Sequence, residues 1–141
     1  MKNYKELEVW QLAKTFAIEL YKMTAAFPRA EQFGLTAQIR RAGTSVPANI
    51  AEGWGRGSAG EYIQFLLIAR GSLMEAETHL IIANELGYLE PEQLKLCQGL
   101  VERIGQMLNR LVQALRNRRR SDSRTLDGSR TPNTEPRTPE T

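Results

Sequence analysis

Residues 40–56 read RRAGTSVPANIAEGWGR, and their spacing predicts a helix with two distinct faces. Small and apolar residues recur at intervals of three and four at Leu35, Ile39, Ala42, Val46, Ile50 and Gly53. At about 100° per residue these positions fall within roughly 80° of arc, which indicates one narrow buried face. A second, polar stripe lies beside that face and consists of Arg41, Ser45, Asn49, Glu52 and Arg56. Because such a helix can pack on two partners, the pattern favours a helical bundle with a further interface.

Pro47 lies in the middle of this pattern. An interior proline removes one backbone hydrogen bond and clashes with the carbonyl four residues earlier, at a cost of about 3 kcal/mol. That earlier residue is Gly43, whose missing side chain lets the backbone bend away. We therefore expect a kinked but continuous second helix. The alternative is two shorter helices, the second of them capped by Ser45.

Three further stretches, at about residues 4–26, 59–86 and 91–117, also predict helices with a buried stripe. Ser58 and Glu61 fit a capping box before the third helix, and Gly87 suits its end. The fourth helix carries a heptad seam made of Leu94, Cys97, Val101, Ile104, Leu108, Leu111 and Leu115. Four long helices with short connections predict an all-α fold, an antiparallel up-and-down four-helix bundle with a Pro-kinked second helix.

Composition divides the chain into a bundle domain, residues 1–117, and a tail, residues 118–141. The tail is rich in Arg, Ser, Thr and Pro and contains one residue suited to a core, Leu126, so we expect it to be disordered. No run of about 18 apolar residues exists that would span a membrane. The polar N-terminus does not resemble a signal peptide, and the single cysteine, Cys97, excludes an internal disulfide. We expect a cytoplasmic protein.

The formal net charge of +3 is unevenly distributed, because Lys/Arg and Asp/Glu balance over residues 1–115 and the whole excess lies in residues 116–141. Binding of nucleic acid therefore requires a local cluster of positive charge. Candidate phosphate-binding residues are Arg40, Arg41 and Arg56 on the second helix and Arg116, Arg118, Arg119 and Arg120 at the end of the fourth. The alternative is that these arginines serve solubility and the helix dipole.

Other candidate chemistry is weak. The glycine-rich run at residues 53–60 follows a helix and lacks the Lys-Ser/Thr pair of a P-loop, so it is interpreted as an interhelical corner. A nucleophilic pair of Cys97 and His79 is conceivable, but Cys97 occupies a seam position, where a buried thiol is ordinary. One histidine and one cysteine cannot supply a zinc shell. We expect no metal, no cofactor and no small-molecule substrate.

Asn49 borders the buried face, where a polar side chain needs a hydrogen-bonding partner. It either bonds a neighbouring helix or lies at a subunit interface and fixes register there. The candidate subunit-interface residues are Ser45, Asn49, Glu52 and Arg70.

Several of these motifs together resemble the 23S rRNA-intervening-sequence, or four-helix-bundle, protein family. The similarity is carried by residues 4–13, 34–42, 45–53 and 69–78, in order along the chain. It implies a small bacterial bundle that assembles as a barrel-shaped, ring-like homopentamer. Related accessory variability determinants serve diversity-generating retroelements, where the pentamer binds the reverse transcriptase and nucleic acid.

These observations lead to three hypotheses for function. The first is a non-enzymatic oligomeric adaptor that binds RNA, and by resemblance a reverse transcriptase, in a diversity-generating retroelement or an rRNA intervening sequence. The second is a scaffold that binds only proteins. The third is an enzyme that uses Cys97 and His79.

Overall fold

The computed structural model of the chain describes residues 3–130, which contain four α-helices and two short 3-10 helices. The α-helices are α1 (Glu8–Thr24), α2 (Leu35–Trp54), α3 (Ala59–Glu85) and α4 (Pro91–Arg130). The 3-10 helices, Tyr4–Glu6 and Arg29–Glu31, precede α1 and α2. No strand occurs in this part of the chain, which confirms the predicted all-α class. None of its helices combines the length and apolar character needed to cross a bilayer.

Successive helices run antiparallel. Ser45 of α2 bonds Ser72 of α3, whereas Gly53, later in α2, lies against Phe65, earlier in α3. The same opposite progression relates α1 to α2 and α3 to α4. Contacts between α1 and α4 close the arrangement. The four helices therefore form an antiparallel bundle with each helix beside the ones that precede and follow it.

One hydrophobic core runs along the bundle axis. Its largest fully enclosed side chains come from all four helices and include Phe16, Leu20, Ile39, Ile50, Leu66, Leu73, Leu80, Ile104 and Leu108. The predicted seam of α4 faces this core: Cys97, Ile104, Leu108 and Leu115 are buried, and Leu94, Val101 and Leu111 pack partly buried against it. Burial of these apolar surfaces, at about 25 cal/mol per Å², is the main stabilising term.

Helix α2 is continuous through Pro47, so the alternative of two shorter helices is wrong. Gly43, the residue whose carbonyl loses its helical donor to the proline, lies buried against Leu20 of α1. A Cβ at this position would come 2.6 Å from Leu20 Cδ1, so glycine also permits the close approach of α1. The predicted kink stays a prediction.

The helix ends follow the predicted capping residues closely. Ser58 Oγ accepts a hydrogen bond from the Glu61 amide at 3.2 Å, which starts α3. Gly87 has φ +84°, in the left-handed region that favours glycine after a helix. The first helix differs from the prediction, because residues 4–6 form a 3-10 turn and α1 begins at Glu8.

Helix α4 extends well beyond the predicted end of the bundle. It continues past Asn117 to Arg130, beyond the predicted domain boundary, and the predicted disorder of the tail stays a prediction. Arginine has a good helix propensity, and its positive charge suits the C-terminal part of a helix. The first proline that could stop the helix is Pro132. Residues 131–141, the rest of the predicted tail, lie outside the described residues.

Candidate nucleic-acid interface

The most basic surface of the described residues is the last exposed part of α4. Five arginines and one aspartate occur between residues 116 and 124, and all of these residues are exposed. Because residues three and four apart share one face of a helix, Arg116, Arg119, Arg120 and Ser123 line a common surface hollow of about 410 Å³. We call this surface the arginine groove. Its charged lining residues are all arginines, so it favours anions.

The arginine groove lies beside the corner between α2 and α3. A Cβ added to Gly60 would come 3.3 Å from a guanidinium nitrogen of Arg119, so the two are close neighbours. Arg118 does not line the groove but a second hollow, of about 320 Å³, together with Trp54 and Tyr62. The glycine-rich corner and the arginines of α4 therefore lie together at one end of the bundle. In the sequence they are two separate motifs.

Two aromatic rings belong to this second hollow. Trp54 and Tyr62 meet edge to face, with ring centroids 6.2 Å apart. The Tyr62 hydroxyl is buried and has no hydrogen-bonding partner among the described residues. Burial raises the pKa of Tyr62 above its usual value. An aromatic surface next to arginines offers a nucleic-acid base a stacking partner close to the groups that hold its phosphate.

Arg41 of α2 and Arg56, just after α2, are arranged differently. Arg41 pairs with Glu75 of α3, and Arg56 lies 3.5 Å from Glu52 and over the ring of Phe65. Their charges are thus partly compensated within the chain. Arg56 lies two residues beyond the end of α2, at the corner before α3, whereas Arg41 lies in the first half of α2. The predicted basic strip on the second helix is therefore not one continuous surface.

Arg40 is committed to packing between α1 and α2. Its Nε donates to Thr24 Oγ1 at 2.9 Å, its Nη2 donates to the Tyr21 carbonyl at 3.2 Å, and its guanidinium lies 4.5 Å from the centroid of the Tyr21 ring. Arg40 consequently lies at the end of the bundle opposite the arginine groove.

The candidate subunit-interface residues have partners within the chain. Asn49 donates from Nδ2 to the Ser45 carbonyl at 2.8 Å and to Ser45 Oγ at 2.9 Å, so the alternative of a bond to a neighbouring helix is wrong, and its place at a subunit interface stays a prediction. Ser45 makes the link to α3 instead, through Ser72 Oγ at 2.9 Å. Arg70 donates to Asn109 of α4 at 2.9 Å. An i→i+4 geometry explains the Asn49 bond, since these residues are neighbours on one helix face.

A charged cluster joins the outer faces of α2 and α3. Glu75 pairs with Arg41, and His79 Nε2 lies 3.3 Å from Glu75 Oε2. Partial burial raises the pKa of Glu75, but hydrogen bonds and charges from His79 and Arg41 outweigh it and hold the pKa below its usual value. Glu75 is therefore ionised at neutral pH, and its pair with Arg41 ties α2 to α3.

Cys97 and His79 are not brought together. Cys97 is fully buried and its Sγ lies 3.4 Å from Met23 Sδ, between α4 and α1. His79 instead bonds Glu75 where α2 meets α3. Burial and the negative charge of Glu19 raise the pKa of Cys97 to about 11. A buried protonated thiol without a base is a poor nucleophile.

Sequence reasoning missed Trp54, Tyr62 and Arg124 at this end of the bundle. The heptad register of α4 was the sequence signal that could have located this end of the bundle. Continued past Leu115, it brings Arg118 and Arg119 to the corner between α2 and α3.

The described residues define a class of protein: an antiparallel helical bundle whose fourth helix ends in exposed arginines beside an aromatic corner. The chain belongs to the family of 23S rRNA-intervening sequence proteins, whose model matches residues 5–110. This confirms the resemblance seen in the sequence. The match ends before Arg116, so the arginine groove lies outside the residues that define the family.

A solved structure is also similar to this chain. It is a crystal structure from Bacteroides thetaiotaomicron of a protein with unknown function from the S23 ribosomal protein family. The TM-score is 0.67 and the identity is 27%, over 74% of this chain and 97% of that chain. A search among curated protein sequences found no match.

Proposed function

We propose that the protein is a non-enzymatic, oligomeric adaptor that binds single-stranded RNA at the arginine groove. The observation that carries this proposal is the contrast between the two sets of arginines. Arg41 and Arg56 are paired with carboxylates, whereas Arg116 and Arg119 of the groove have no carboxylate partner among the residues whose side chains are described. Unpaired guanidinium groups on one helix face are suited to bidentate phosphate contacts.

Single-stranded RNA is favoured over a duplex by the aromatic corner beside the groove. Bases that are free of pairing can stack on Trp54, which lines the hollow next to Arg118. A neutral bundle with one basic end attracts nucleic acid only locally, so RNA contacts are expected to be confined to this end of each copy.

The outer face of α3 supports assembly into an oligomer. Apolar side chains surround this helix on all sides, a pattern typical of a helix that is buried all round. The exposed apolar residues of α3 are Ile68, Met74, Ile81 and Ile82, and Leu86, which follows its last residue, is exposed as well. We propose that this face packs against another copy and that the copies form a closed ring, the homopentamer that the family resemblance implies. A closed ring would place several arginine grooves on one rim, which raises avidity without new contacts.

The RNA proposal is tested by titrating a fluorescent single-stranded RNA with the full chain at several salt concentrations. A triple variant, Arg116→Gln with Arg119→Gln and Arg120→Gln, removes the groove's charge. For three lost phosphate contacts the slope of log affinity against log salt should decrease in magnitude by about 2. Trp54→Ala should weaken binding with little change in that slope, because stacking releases no counterions.

The matched control replaces three other exposed cations of α4, Lys95, Arg103 and Arg110, by glutamine. It changes the net charge equally and leaves the groove intact. Affinity and salt slope close to those of the unmodified chain would support the groove. Equal loss in both triple variants, or no binding by the unmodified chain at low salt, would refute it.

A scaffold that binds only proteins is the second candidate, and the neutrality of residues 1–115 favours it. In this case the reverse transcriptase suggested by the family resemblance would bind the bundle itself. Retention of purified reverse transcriptase at high salt and after nuclease treatment, unchanged in the groove variant, would favour this candidate over RNA binding.

A further inference from the structure

A separate hollow lies at the opposite end of the bundle, between the end of α1 and the start of α2. Its volume is about 310 Å³, near the lower end of the range for small-molecule sites. Both charged residues among those that line it are arginines, Arg29 and Arg40, and its other polar side chains are Thr24, Thr36 and Gln32. Since α2 has 20 residues, the hollow lies about 30 Å from the arginine groove.

Hydrogen bonds hold Arg40 in place at this hollow and leave some of its guanidinium N–H donors unused. Its bonds to Thr24 Oγ1 and to the Tyr21 carbonyl use two of its five N–H donors. Tyr21 lies in the last turns of α1, whose carbonyls would otherwise repel an anion. Arg40 therefore offsets that negative end and presents its remaining donors.

Thr36 supplies a further hydrogen-bond donor at the hollow. The residue is 8% exposed and lines the hollow, and within residues 3–124 its hydroxyl has no hydrogen-bonding partner. Thr24, the other threonine of the hollow, bonds the Leu20 carbonyl and Arg40. Because the Thr36 hydroxyl has no partner in this part of the chain, it is available to a ligand oxygen in the hollow.

Arg29 completes the set. It belongs to the 3-10 helix before α2, is exposed, and forms no ion pair with any described residue. Together with Arg40 and Thr36, it gives the hollow two guanidinium groups and a free hydroxyl. This donor set matches a tetrahedral oxyanion, because arginine forks bind phosphate oxygens in pairs.

We propose that this hollow is a phosphate-binding site, distinct from the arginine groove. The phosphate comes either from free inorganic phosphate or from the 5′-phosphate of a nucleotide. Phe33, on the same turn as Gln32, is 89% exposed and offers a nucleotide base a stacking surface. The proposal stands independently of RNA binding, since it uses no residue of the groove.

The test is a titration of the isotope-labelled full chain with inorganic phosphate at low ionic strength, followed by NMR at each backbone amide. Saturable shifts at Thr24, Arg29 and Thr36 are expected. Arg29→Gln should weaken binding about tenfold, the equivalent of one charge-assisted contact. Thr36→Val, which keeps the side-chain shape, should weaken binding about threefold and leave the free protein at least as stable.

Arg103→Gln removes one exposed arginine in the middle of α4 and is the matched control, expected to change affinity less than twofold. Shifts confined to residues 116–124 would overturn the proposal. So would equal weakening by Arg29→Gln and Arg103→Gln. The free-state spectrum of each variant shows that its fold is intact.

Adenosine monophosphate and adenosine distinguish the two sources. If the monophosphate binds more tightly than inorganic phosphate, and Phe33→Ala removes this difference in affinity, the ligand is a nucleotide. Equal affinity of the two identifies free phosphate. Adenosine binding as tightly as its monophosphate would refute the phosphate site.

Discussion

Gly53 offers a sharp test of how closely α2 approaches α3. It lies in the last turn of α2 and is buried. A Cβ added there would come 2.8 Å from Phe65 Cβ and 3.3 Å from the Tyr62 carbonyl oxygen. Both are atoms at or next to the backbone of α3, so no rotation of a flexible side chain relieves the overlap. Gly53→Ala should therefore push the two helices apart.

The size of the effect follows from two opposed contributions. Alanine gains up to about 1 kcal/mol over glycine in a helix interior. Overpacking in a well-packed core costs about 1–3 kcal/mol. At Gly53 the second contribution exceeds the first, and we expect a net loss of about 1–2 kcal/mol in the free energy of unfolding.

Gly99→Ala is the matched control, because Gly99 is an exposed position within α4 with no atom near an added Cβ. It should stabilise the protein by about 0.5–1 kcal/mol. Urea unfolding followed by circular dichroism, at several protein concentrations, measures both changes. If Gly53→Ala stabilises the protein as much as Gly99→Ala does, the close packing of α2 on α3 described here is wrong.

Three further outcomes are expected. The ionised form of Glu75 is favoured in the folded state, so its contribution to stability is present at neutral pH and lost as the pH falls through its lowered pKa. Glu75→Gln should flatten the decline in melting temperature on acidification, and an unchanged slope would contradict this. The Cys97 thiol, buried and with its pKa raised to about 11, should react with a disulfide reagent at pH 8 only as fast as the protein unfolds, and rapid reaction of the native protein would contradict its burial. Asn49→Leu should change the particle mass measured by light scattering more than the helix content, and an unchanged mass would count against an interface role for Asn49.

Local signals predicted the helix ends well. Ser58 and Glu61 start α3, Gly87 takes a positive φ after it, and Pro91 starts α4. In each case the residue acts on the backbone within its own turn, so no knowledge of distant partners is needed. The buried stripes were predictable for the same reason, because helical periodicity is local.

Pairings between helices were beyond the sequence. Glu52 with Arg56 and Glu75 with His79 are four apart and were predictable. Arg41 with Glu75 depends on how α2 slides along α3. That register also decides which arginines have a carboxylate partner. From the sequence, both Arg41 and Arg116 were therefore candidate phosphate-binding residues, whereas in the structure Arg41 pairs with Glu75.

The length of α4 was misjudged for a different reason. Residues 118–130 lack an apolar stripe, and the absence of core-forming residues was interpreted as disorder. Helix propensity and the preceding turns sustain the helix without a core. The hollow lined by Arg29 and Arg40 was not predicted from the sequence. Its residues come from the end of α1, the 3-10 helix and the start of α2, and no single motif contains them.

The exposed last part of α4 carries the net positive charge of the protein, whereas the core lies in the rest of the bundle. Residues 116–124 are exposed and contribute no side chain to the core, while residues 1–115 carry no net charge. Helical turns that bury no side chain in the core open readily, which makes this part of α4 accessible to a trypsin-like protease. A single cut after Arg116 would release two of the three net positive charges and leave a bundle with a formal net charge of +1.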